Sequence, residues 1–336
     1  MISANGSILR IGQFGVGSIG IESIRLAASK PWAEVVGAVD VDPAKIGRSL
    51  AELTGLDELS DRYVYGSFRE LWEKTDLQAI LHTAGSSAET SINEIIPMAR
   101  HGLTVASSCE QLLFPQLRAA EASNRLDSMC KAYGARVVGT GVNPGFVMDV
   151  LPICLSGITT NVQSVFAERV VNASTRRKPL QQKIGSGMRP EEFRQRFAAG
   201  AAGHAGFRES AALIAHCLGW TIDEMLETCE PVIAERPLVT AHFDVPPGMT
   251  CGLHQRVVVR SQGEQRIELD LKMYLDAEDP HDTVRIDGDP PVEALVKGGV
   301  AGDQATVAAL VNSLPRLLRS SPGLHLMTDL PVPSWA

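Results

Sequence analysis

A glycine-rich turn directly after an apolar run is the clearest chemical pattern in the chain. Residues 15–20 (GVGSIG) satisfy G-x-G-x-x-G after the strand-like run Ile8 to Phe14. The first glycine permits a tight turn, the second lets backbone N–H groups approach a pyrophosphate, and the third lets helix and strand pack closely. Asp40 ends a second apolar run, where a carboxylate accepts hydrogen bonds from an adenosine ribose. We expect dinucleotide phosphates to contact Gly15, Gly17, Ser18 and Ile19.

The residues that follow the strands leave the choice between NAD and NADP open. Asp40 favours a free 2′-hydroxyl, whereas Lys45 and Arg48 could neutralise a 2′-phosphate or simply be solvated. Ligands of such sheets bind beyond the carboxyl ends of the strands, where small hydroxyl and amide side chains can bond a carboxamide. The further candidates for contact with NAD(P)H are Thr83, Ala84, Ser107, Asn143 and, on a later helix, Thr306.

Glu110 is the strongest candidate for a catalytic residue. It lies three residues past a strand end, and Leu112, Leu113 and Phe114 follow it closely. A carboxylate beside apolar side chains tends to have a raised pKa, which suits proton exchange, and it can pair with a cationic substrate nitrogen. The alternative is an exposed loop glutamate. Sugar-type dehydrogenases carry Glu-Lys-Pro at the comparable place; Gln111 replaces that lysine here, so alcohol oxidation would lose its usual proton acceptor.

The second half of the chain offers weaker candidates. His204, between small residues, could contact substrate or serve only in packing. Arg176 and Arg177, in a compact basic cluster, could hold a substrate carboxylate or line a solvated loop. Phe146 is a candidate substrate contact. The eight histidines show no metal-binding spacing, so we assign no metal.

Alternating strand-like and helix-like runs must position these residues. Strands are predicted at residues 8–14, 34–41, 77–83, 103–107 and 135–139, with helices at 67–74 and 91–101 between them. Near-continuous apolar strands separated by helices predict a parallel sheet covered on both faces. Residues 1–150 are therefore predicted to form a doubly wound Rossmann-type α/β domain.

The pattern changes after residue 150. Long alternating runs at residues 162–171, 257–260 and 267–274 predict ladder strands, and residues 190–218 read as mostly helical. Turn clusters are expected at residues 246–248 and 287–291. Residues 151–300 thus predict an α+β substrate-binding and dimerisation domain with an open mixed sheet. A helix from Asp303 to Leu318 is expected to pack back on the first domain.

Composition excludes several classes of protein. The 336 residues carry 31 Lys+Arg against 39 Asp+Glu, a formal net charge of −8, which argues against a nucleic-acid partner. No apolar run approaches the roughly 18 residues of a membrane helix, and Met1 to Ser7 lack the basic and apolar segments of a signal peptide. The six cysteines are widely spaced, as is typical of reduced thiols, so a cytoplasmic protein is expected.

Five ordered blocks resemble a known family. They are SSCEQLLFP around Glu110, GTGVNPGFVMD (139–149), GHAGFRES (203–210), GGVAGDQATVAALVNSLP (298–315) and PGLHLMTDLP (322–331). Together with the glycine turn they are similar to the 2,4-diaminopentanoate dehydrogenases and native amine dehydrogenases, whose nucleotide domain is similar to that of dihydrodipicolinate reductase. The resemblance implies reversible NAD(P)-dependent conversion of a small amine to a ketone or aldehyde plus ammonia. It also implies that Glu110 contacts the substrate amine.

An amine dehydrogenase, expected as a homodimer, is therefore the leading hypothesis. Two alternatives stay open: a hydroxy-group oxidoreductase of the sugar-dehydrogenase type, and a non-catalytic NAD(P)-sensing protein.

Overall fold

The computed structural model describes residues 8–336, so the expectation for Met1 to Ser7 lies outside it. The chain divides into two compact units, the first made of the described part of Met1–Gly145 together with Ala301–Ala336, and the second of Phe146–Val300. The boundaries fall at residues 145 and 300, where the sequence analysis placed 150 and 300.

A parallel sheet forms the centre of unit 1. Its strands are β1 (Leu9–Phe14), β2 (Ala33–Val39), β3 (Val64–Tyr65), β4 (Ala79–His82), β5 (Thr104–Ser107), β6 (Arg136–Gly139) and β15 (Gly323–His325). They are hydrogen-bonded in the order β15-β6-β5-β4-β1-β2-β3, all in parallel. The order β3-β2-β1-β4-β5-β6 is that of doubly wound dinucleotide-binding sheets. The predicted Rossmann-type fold is confirmed.

Helices pack on this sheet through apolar stripes. They are α1 (Ser18–Ala28), α2 (Leu50–Thr54), α3 (Phe68–Lys74), α4 (Ala88–Arg100), α5 (Gln116–Tyr133) and α10 (Gly302–Leu317), with 3-10 turns at Asp57–Leu59, Glu110–Leu113 and Met327–Asp329. In α4, Ile92, Ile95 and Ala99 recur at helical spacing and are fully buried. The C-terminal helix α10 contacts α1, β4, β5 and β6. Unit 1 thus combines both ends of the described chain around one core.

Unit 2 contains a mixed sheet. Its strands are β7 (Asn161–Asn172), β8 (Glu224–Ile233), β11 (Thr250–Ser261), β12 (Glu264–Tyr274), β13 (His281–Asp289) and β14 (Val292–Lys297), beside a small ribbon of β9 (Leu238–Val239) and β10 (Asp244–Val245). The order is β14-β13-β7-β12-β11-β8. Only the β7–β12 pair is parallel among these strands. The helices are α6 (Val150–Ser156), α7 (Lys178–Lys183), α8 (Pro190–Ala198) and α9 (Phe207–Cys217). The predicted α+β domain with a mixed sheet is confirmed.

The structure refines one local prediction for unit 2 and corrects another. The stretch 190–218 is mostly helical, as predicted, but it consists of two helices, because Gly200, Gly203 and Gly206 adopt positive φ between them. The expected turn at residues 287–291 begins late, since Asp287 to Asp289 still pair with β7. None of the helices within residues 8–336 is both long and apolar enough to span a membrane.

Candidate active site

The glycine turn in unit 1 has backbone geometry that requires glycine at two positions. Gly15 has φ +88°, and a Cβ there would lie 2.8 Å from the carbonyl oxygen of Thr83. A Cβ on Gly20 would lie 2.0 Å from the carbonyl oxygen of Gly15. Both contacts are far shorter than van der Waals distance. The turn therefore brings the start of α1 against the carboxyl ends of β1 and β4.

Gly17, by contrast, borders open space. A Cβ built on Gly17 has no heavy atom within 4 Å, and Gly17 and Ser18 are exposed while Ile19 is half-buried. Gly17 is the N-cap of α1, so N–H groups of the first helical turn point toward this space. A helix N-terminus with room for close approach suits a pyrophosphate. The residues present thus fit a dinucleotide.

Asp40, directly after β2, holds the glycine turn in place. Its carboxylate accepts hydrogen bonds from the backbone N–H of Val16 at 2.7 Å and of Asp42 at 2.9 Å, and from Lys45 Nζ at 3.1 Å. Burial by itself would raise the pKa of Asp40, but these hydrogen bonds outweigh it and hold the pKa below its usual range. Lys45 also lies 3.6 Å from the carboxylate of Asp42. The structure therefore pairs Lys45 with the carboxylate predicted to contact the ribose.

The end of β4 supports the same turn. The Thr83 hydroxyl donates to the carbonyl of Gly15 at 2.8 Å and accepts from Gln13 Nε2 at 2.9 Å. Ala84, the next residue, is exposed. Thr83 was predicted to contact the dinucleotide directly, whereas in the structure its hydroxyl braces the glycine turn.

Glu110 begins the 3-10 turn after β5 and is half-buried. Leu112 and Leu113 of the same turn are buried, and the Oε1 of Gln111 accepts from the backbone N–H of Ala88 at 2.9 Å. Cys109 precedes it, and burial raises the pKa of that thiol to about 11. Glu110 is thus the half-exposed carboxylate of a tightly anchored turn, not part of an extended surface loop. Since β5 and β1 are parallel strands of one sheet, Glu110 and the glycine turn follow the same edge.

The other residues predicted to contact the dinucleotide occupy different environments. Ser107, the last residue of β5, is fully buried, and its hydroxyl accepts from the backbone N–H of Cys109 at 3.1 Å and is bonded to His82. The Ser107 hydroxyl therefore supports the Glu110 turn, and a contact of Ser107 with the dinucleotide stays a prediction. Asn143, in the loop after β6, and Thr306, in α10, are both half-buried.

In unit 2, His204 sits in a braced backbone segment before α9. Its backbone N–H donates to Gln255 Oε1 at 2.7 Å, and its carbonyl accepts from Gln255 Nε2 at 3.0 Å. The half-buried imidazole lies edge-on to Phe207, with ring centroids 6.4 Å apart. Because Gln255 is buried in β11, the position of His204 is fixed by the sheet.

The basic cluster of unit 2 is also held by a buried amide. Gln181 Nε2 donates to the carbonyl of Arg176 at 2.7 Å. Arg176 is half-buried and Arg177 is exposed, as the N-cap of α7. Burial lowers the pKa of Arg169 although Asp282 opposes the shift, and the charge of Arg176 lowers it further. The positive charge of Arg169 is itself balanced by the buried carboxylate of Asp282, 3.0 Å away. Phe146, at the start of unit 2, is half-buried.

Two ionisable residues that the sequence analysis did not single out lie beside the Glu110 turn. His82, the last residue of β4, is fully buried, and its ring bonds to Glu94 of α4 at 3.0 Å. The available signal was a histidine at the end of an otherwise apolar strand. Glu94 had no signal of its own, because its partner lies on a different element. Within residues 8–336, no three His, Cys, Asp or Glu side chains gather as a metal site would require.

Comparison with known proteins bears on the whole chain. The family model of the 2,4-diaminopentanoate dehydrogenase C-terminal domain matches residues 146–336, more than half of the sequence. The chain belongs to the 2,4-diaminopentanoate dehydrogenase family. A curated member, 2,4-diaminopentanoate dehydrogenase of Acetoanaerobium sticklandii, is 28% identical over 327 residues, which cover 95% of this chain and 92% of the relative. The resemblance stated from the sequence blocks is confirmed.

Solved structures share the fold. The amine dehydrogenase from Mycobacterium smegmatis superposes with a TM-score of 0.86 at 22% identity, covering 98% of both chains. GenD2 of gentamicin A biosynthesis, solved in complex with NAD, gives a TM-score of 0.54 at 14% identity over 88% of this chain and 74% of its own. At these identities the likeness shows the fold alone.

Proposed function

We propose that this protein is an NAD(P)-dependent amine dehydrogenase. It would convert a small amine to a ketone or aldehyde plus ammonia, and run the reverse reductive amination. The proposal is supported above all by Glu110, a half-buried carboxylate that follows the same sheet edge as the glycine turn. The family assignment and the amine dehydrogenase among its structural neighbours agree with this chemistry.

The glycine turn, the N-terminus of α1 and Asp40 would hold the dinucleotide. When bound, the nicotinamide exchanges a hydride with the substrate carbon that carries the nitrogen. Asp40 and Thr83 keep the turn in the conformation that leaves Gly17 open. The Asp40 carboxylate is suited to a ribose hydroxyl, and Lys45 beside it brings positive charge to the same place. Use of both NAD(H) and NADP(H) is therefore proposed.

Glu110 would stabilise the substrate nitrogen while it is cationic. The ammonium form of the amine and the iminium form of the oxidised substrate both carry positive charge, which a fixed carboxylate in a partly desolvated place attracts. The same carboxylate can take the proton that the ammonium must lose before oxidation. Gln111, where sugar-type dehydrogenases have lysine, has its carbonyl oxygen bound to Ala88 N–H, so it offers no base for an alcohol.

Residues of unit 2 are proposed to select the substrate. Arg176 and Arg177 could recognise a substrate carboxylate by bidentate pairing. His204 and Phe146 remain proposed substrate contacts. The specific amine is chosen by side chains on this unit.

A second copy of the chain is the proposed partner. In the mixed sheet of unit 2, residues that are paired on neighbouring strands lie on the same face of the sheet. One face carries the linked ion pairs of Glu168, Lys272 and Asp270 at its centre. On the two edge strands the same face exposes Leu226 (57%) and Leu295 (52%). An uncovered sheet face with exposed leucines at both sides suits a homodimer contact. Sedimentation velocity on wild type and on a Leu226→Glu/Leu295→Glu variant tests it: a dimer should become a monomer.

An ammonia-dependent screen tests the function. Small ketones, aldehydes and oxo-acids are each mixed with NADH or NADPH, with and without ammonium, and oxidation is followed at 340 nm. Oxidation that requires ammonium supports the proposal. Turnover of alcohols or ketones without ammonium would show a hydroxy-group oxidoreductase, and dinucleotide binding without any turnover would show a sensing protein.

A further inference from the structure

Three polar side chains form a continuous hydrogen-bonded row beneath the Glu110 turn. His82 Nε2 lies 3.0 Å from the carboxylate of Glu94, and His82 Nδ1 lies 2.9 Å from the hydroxyl of Ser107. His82 and Ser107 are fully buried, and the histidine ring stacks on Phe14 at 5.2 Å between centroids. Glu94 alone reaches solvent, with 32% of its side chain exposed. The row thus runs from the protein surface into the core of unit 1.

The direction of each bond follows from the tautomer of the His82 ring. An ionised carboxylate only accepts, so in the neutral tautomer that can donate to Glu94 the ring proton is on Nε2. Nδ1 is then an acceptor, and the Ser107 hydroxyl must donate to it. The oxygen of Ser107 is left to accept from the backbone N–H of Cys109, at 3.1 Å. Each group in the row therefore orients the next one, ending at the peptide that precedes Glu110.

Helix α4 consequently anchors the Glu110 turn at two points. One is indirect, from Glu94 through His82 and Ser107 to the Cys109 amide. The other is direct, from the Ala88 N–H to the side chain of Gln111. The two anchors flank Glu110 in sequence, and a backbone fixed on both sides restricts where the carboxylate can point. A preorganised charge stabilises a developing cation better than one that must reorient.

We propose that Glu94, His82 and Ser107 act as a positioning relay for Glu110. The inference rests on the proposed function of Glu110 and adds residues to it that act on Glu110 through the Cys109 peptide. His82 and Glu94 are positioning residues: they set the orientation of Ser107, which sets the Cys109 peptide and hence Glu110.

Hydrogen–deuterium exchange tests the relay independently of activity. His82→Leu should raise exchange of the peptide covering residues 109–113 at least several-fold, without changing exchange in α1. Glu94→Gln, whose amide can still accept from His82 but has no charge, should raise it less. His82→Asn, whose amide can still meet Ser107, should restore most of the protection. Glu89→Gln, a change of an exposed glutamate on the same helix, is the matched control and should leave exchange unchanged. Unchanged exchange at 109–113 in His82→Leu would overturn the relay.

Turnover then shows whether the relay acts through Glu110. We expect His82→Leu to lower kcat for reductive amination about 10- to 100-fold, with the Kd for the dinucleotide within about twofold of wild type. In a Glu110→Gln background the same change should cost less than about threefold, because the group it positions is already gone. Full additivity of the two losses would refute the inference even if the wild type is an amine dehydrogenase. If the wild type lacks ammonia-dependent turnover, the proposed function fails, and the exchange experiment still decides whether the relay exists.

Discussion

Replacing Glu110 with glutamine is the sharpest test of the proposed chemistry, because it removes the charge and nearly preserves the size of the side chain. Two opposite unit charges about 4 Å apart attract by about 1 kcal/mol in water and about 4 kcal/mol at the effective dielectric constant of about 20 found near protein surfaces. Glu110 is half-buried in a turn that also contains the buried Leu112. The loss should approach the larger value. Since about 1.4 kcal/mol is tenfold in rate, kcat/KM should fall about 10²- to 10³-fold.

Steady-state rates of ammonium-dependent NADH and NADPH oxidation measure this loss at saturating dinucleotide. The Kd for the dinucleotide, from fluorescence titration, should stay within about twofold, because the glycine turn is held by Asp40 and Thr83 instead. Glu121→Gln, on an exposed glutamate of α5, serves as the matched control and should retain wild-type rates. A fall in kcat/KM of less than about fivefold for Glu110→Gln would refute the reasoning, because so small a loss is what a solvent-screened carboxylate contributes.

Three further predictions concern the dinucleotide and the second unit. Gly20→Ala should prevent dinucleotide binding and lower the melting temperature, whereas Gly17→Ala should leave the melting temperature unchanged and raise the dinucleotide Kd at least tenfold, because its methyl group enters only the open space. Lys45→Ala should weaken NADPH binding about tenfold more than NADH binding, measured as a ratio of Kd values. Burial alone would raise the pKa of Glu168, but the ion pairs of Glu168 hold its pKa below the usual range. The pKa of His281 is raised, first by a hydrogen bond to the backbone carbonyl of Asp279 and then by the pairing with Glu168. The stability that Glu168 contributes is lost as pH falls through its lowered pKa, and the stability that His281 contributes is lost as pH rises through its raised pKa. Melting curves should therefore show Glu168→Gln to be most destabilising near pH 5–6, by up to about 1 kcal/mol. The difference from wild type should be smaller at pH 8.

The sequence predicted the elements whose signals are local. Apolar runs gave β1, β2, β4, β5 and β6 to within about two residues, because buried parallel strands are apolar on both faces. The glycine spacing predicted the turn before α1, because that pattern also lies within a few consecutive residues. The long helix α5 was missed, since its exposed face is rich in charge and its apolar stripe is narrow. The break within residues 190–218 depends on three glycines with positive φ, and glycine identity alone does not reveal φ.

Side-chain roles in the site were harder to predict than its location. Thr83 and Ser107 follow strand ends, as residues that contact a ligand do, yet their hydroxyls bond to Gly15 and to His82. The partner of each hydroxyl lies on a neighbouring strand of the sheet or directly after it, and that strand is distant in the sequence. In the sequence, Glu94 is 12 residues from His82, and Ser107 is 25 residues from His82. No short-range sequence pattern therefore joins the three residues.

The end of β4 links the two parts of the proposed site. Thr83 bonds to the glycine turn, and its neighbour His82 bonds to Ser107 beneath Glu110, within the proposed relay. Adjacent residues of a strand point to opposite sides, so one short segment can brace both. This predicts a separation of effects. Thr83→Val removes the hydrogen bonds of the hydroxyl to Gly15 and from Gln13. The bond to Gly15 holds the turn directly, and at about 0.5–1.5 kcal/mol its loss should raise the dinucleotide Kd at least about two- to tenfold with kcat at saturation unchanged. His82→Leu should do the reverse. If Thr83→Val lowers kcat as much as it weakens binding, the two functions are not separable at β4, and the division of roles between Thr83 and His82 is wrong.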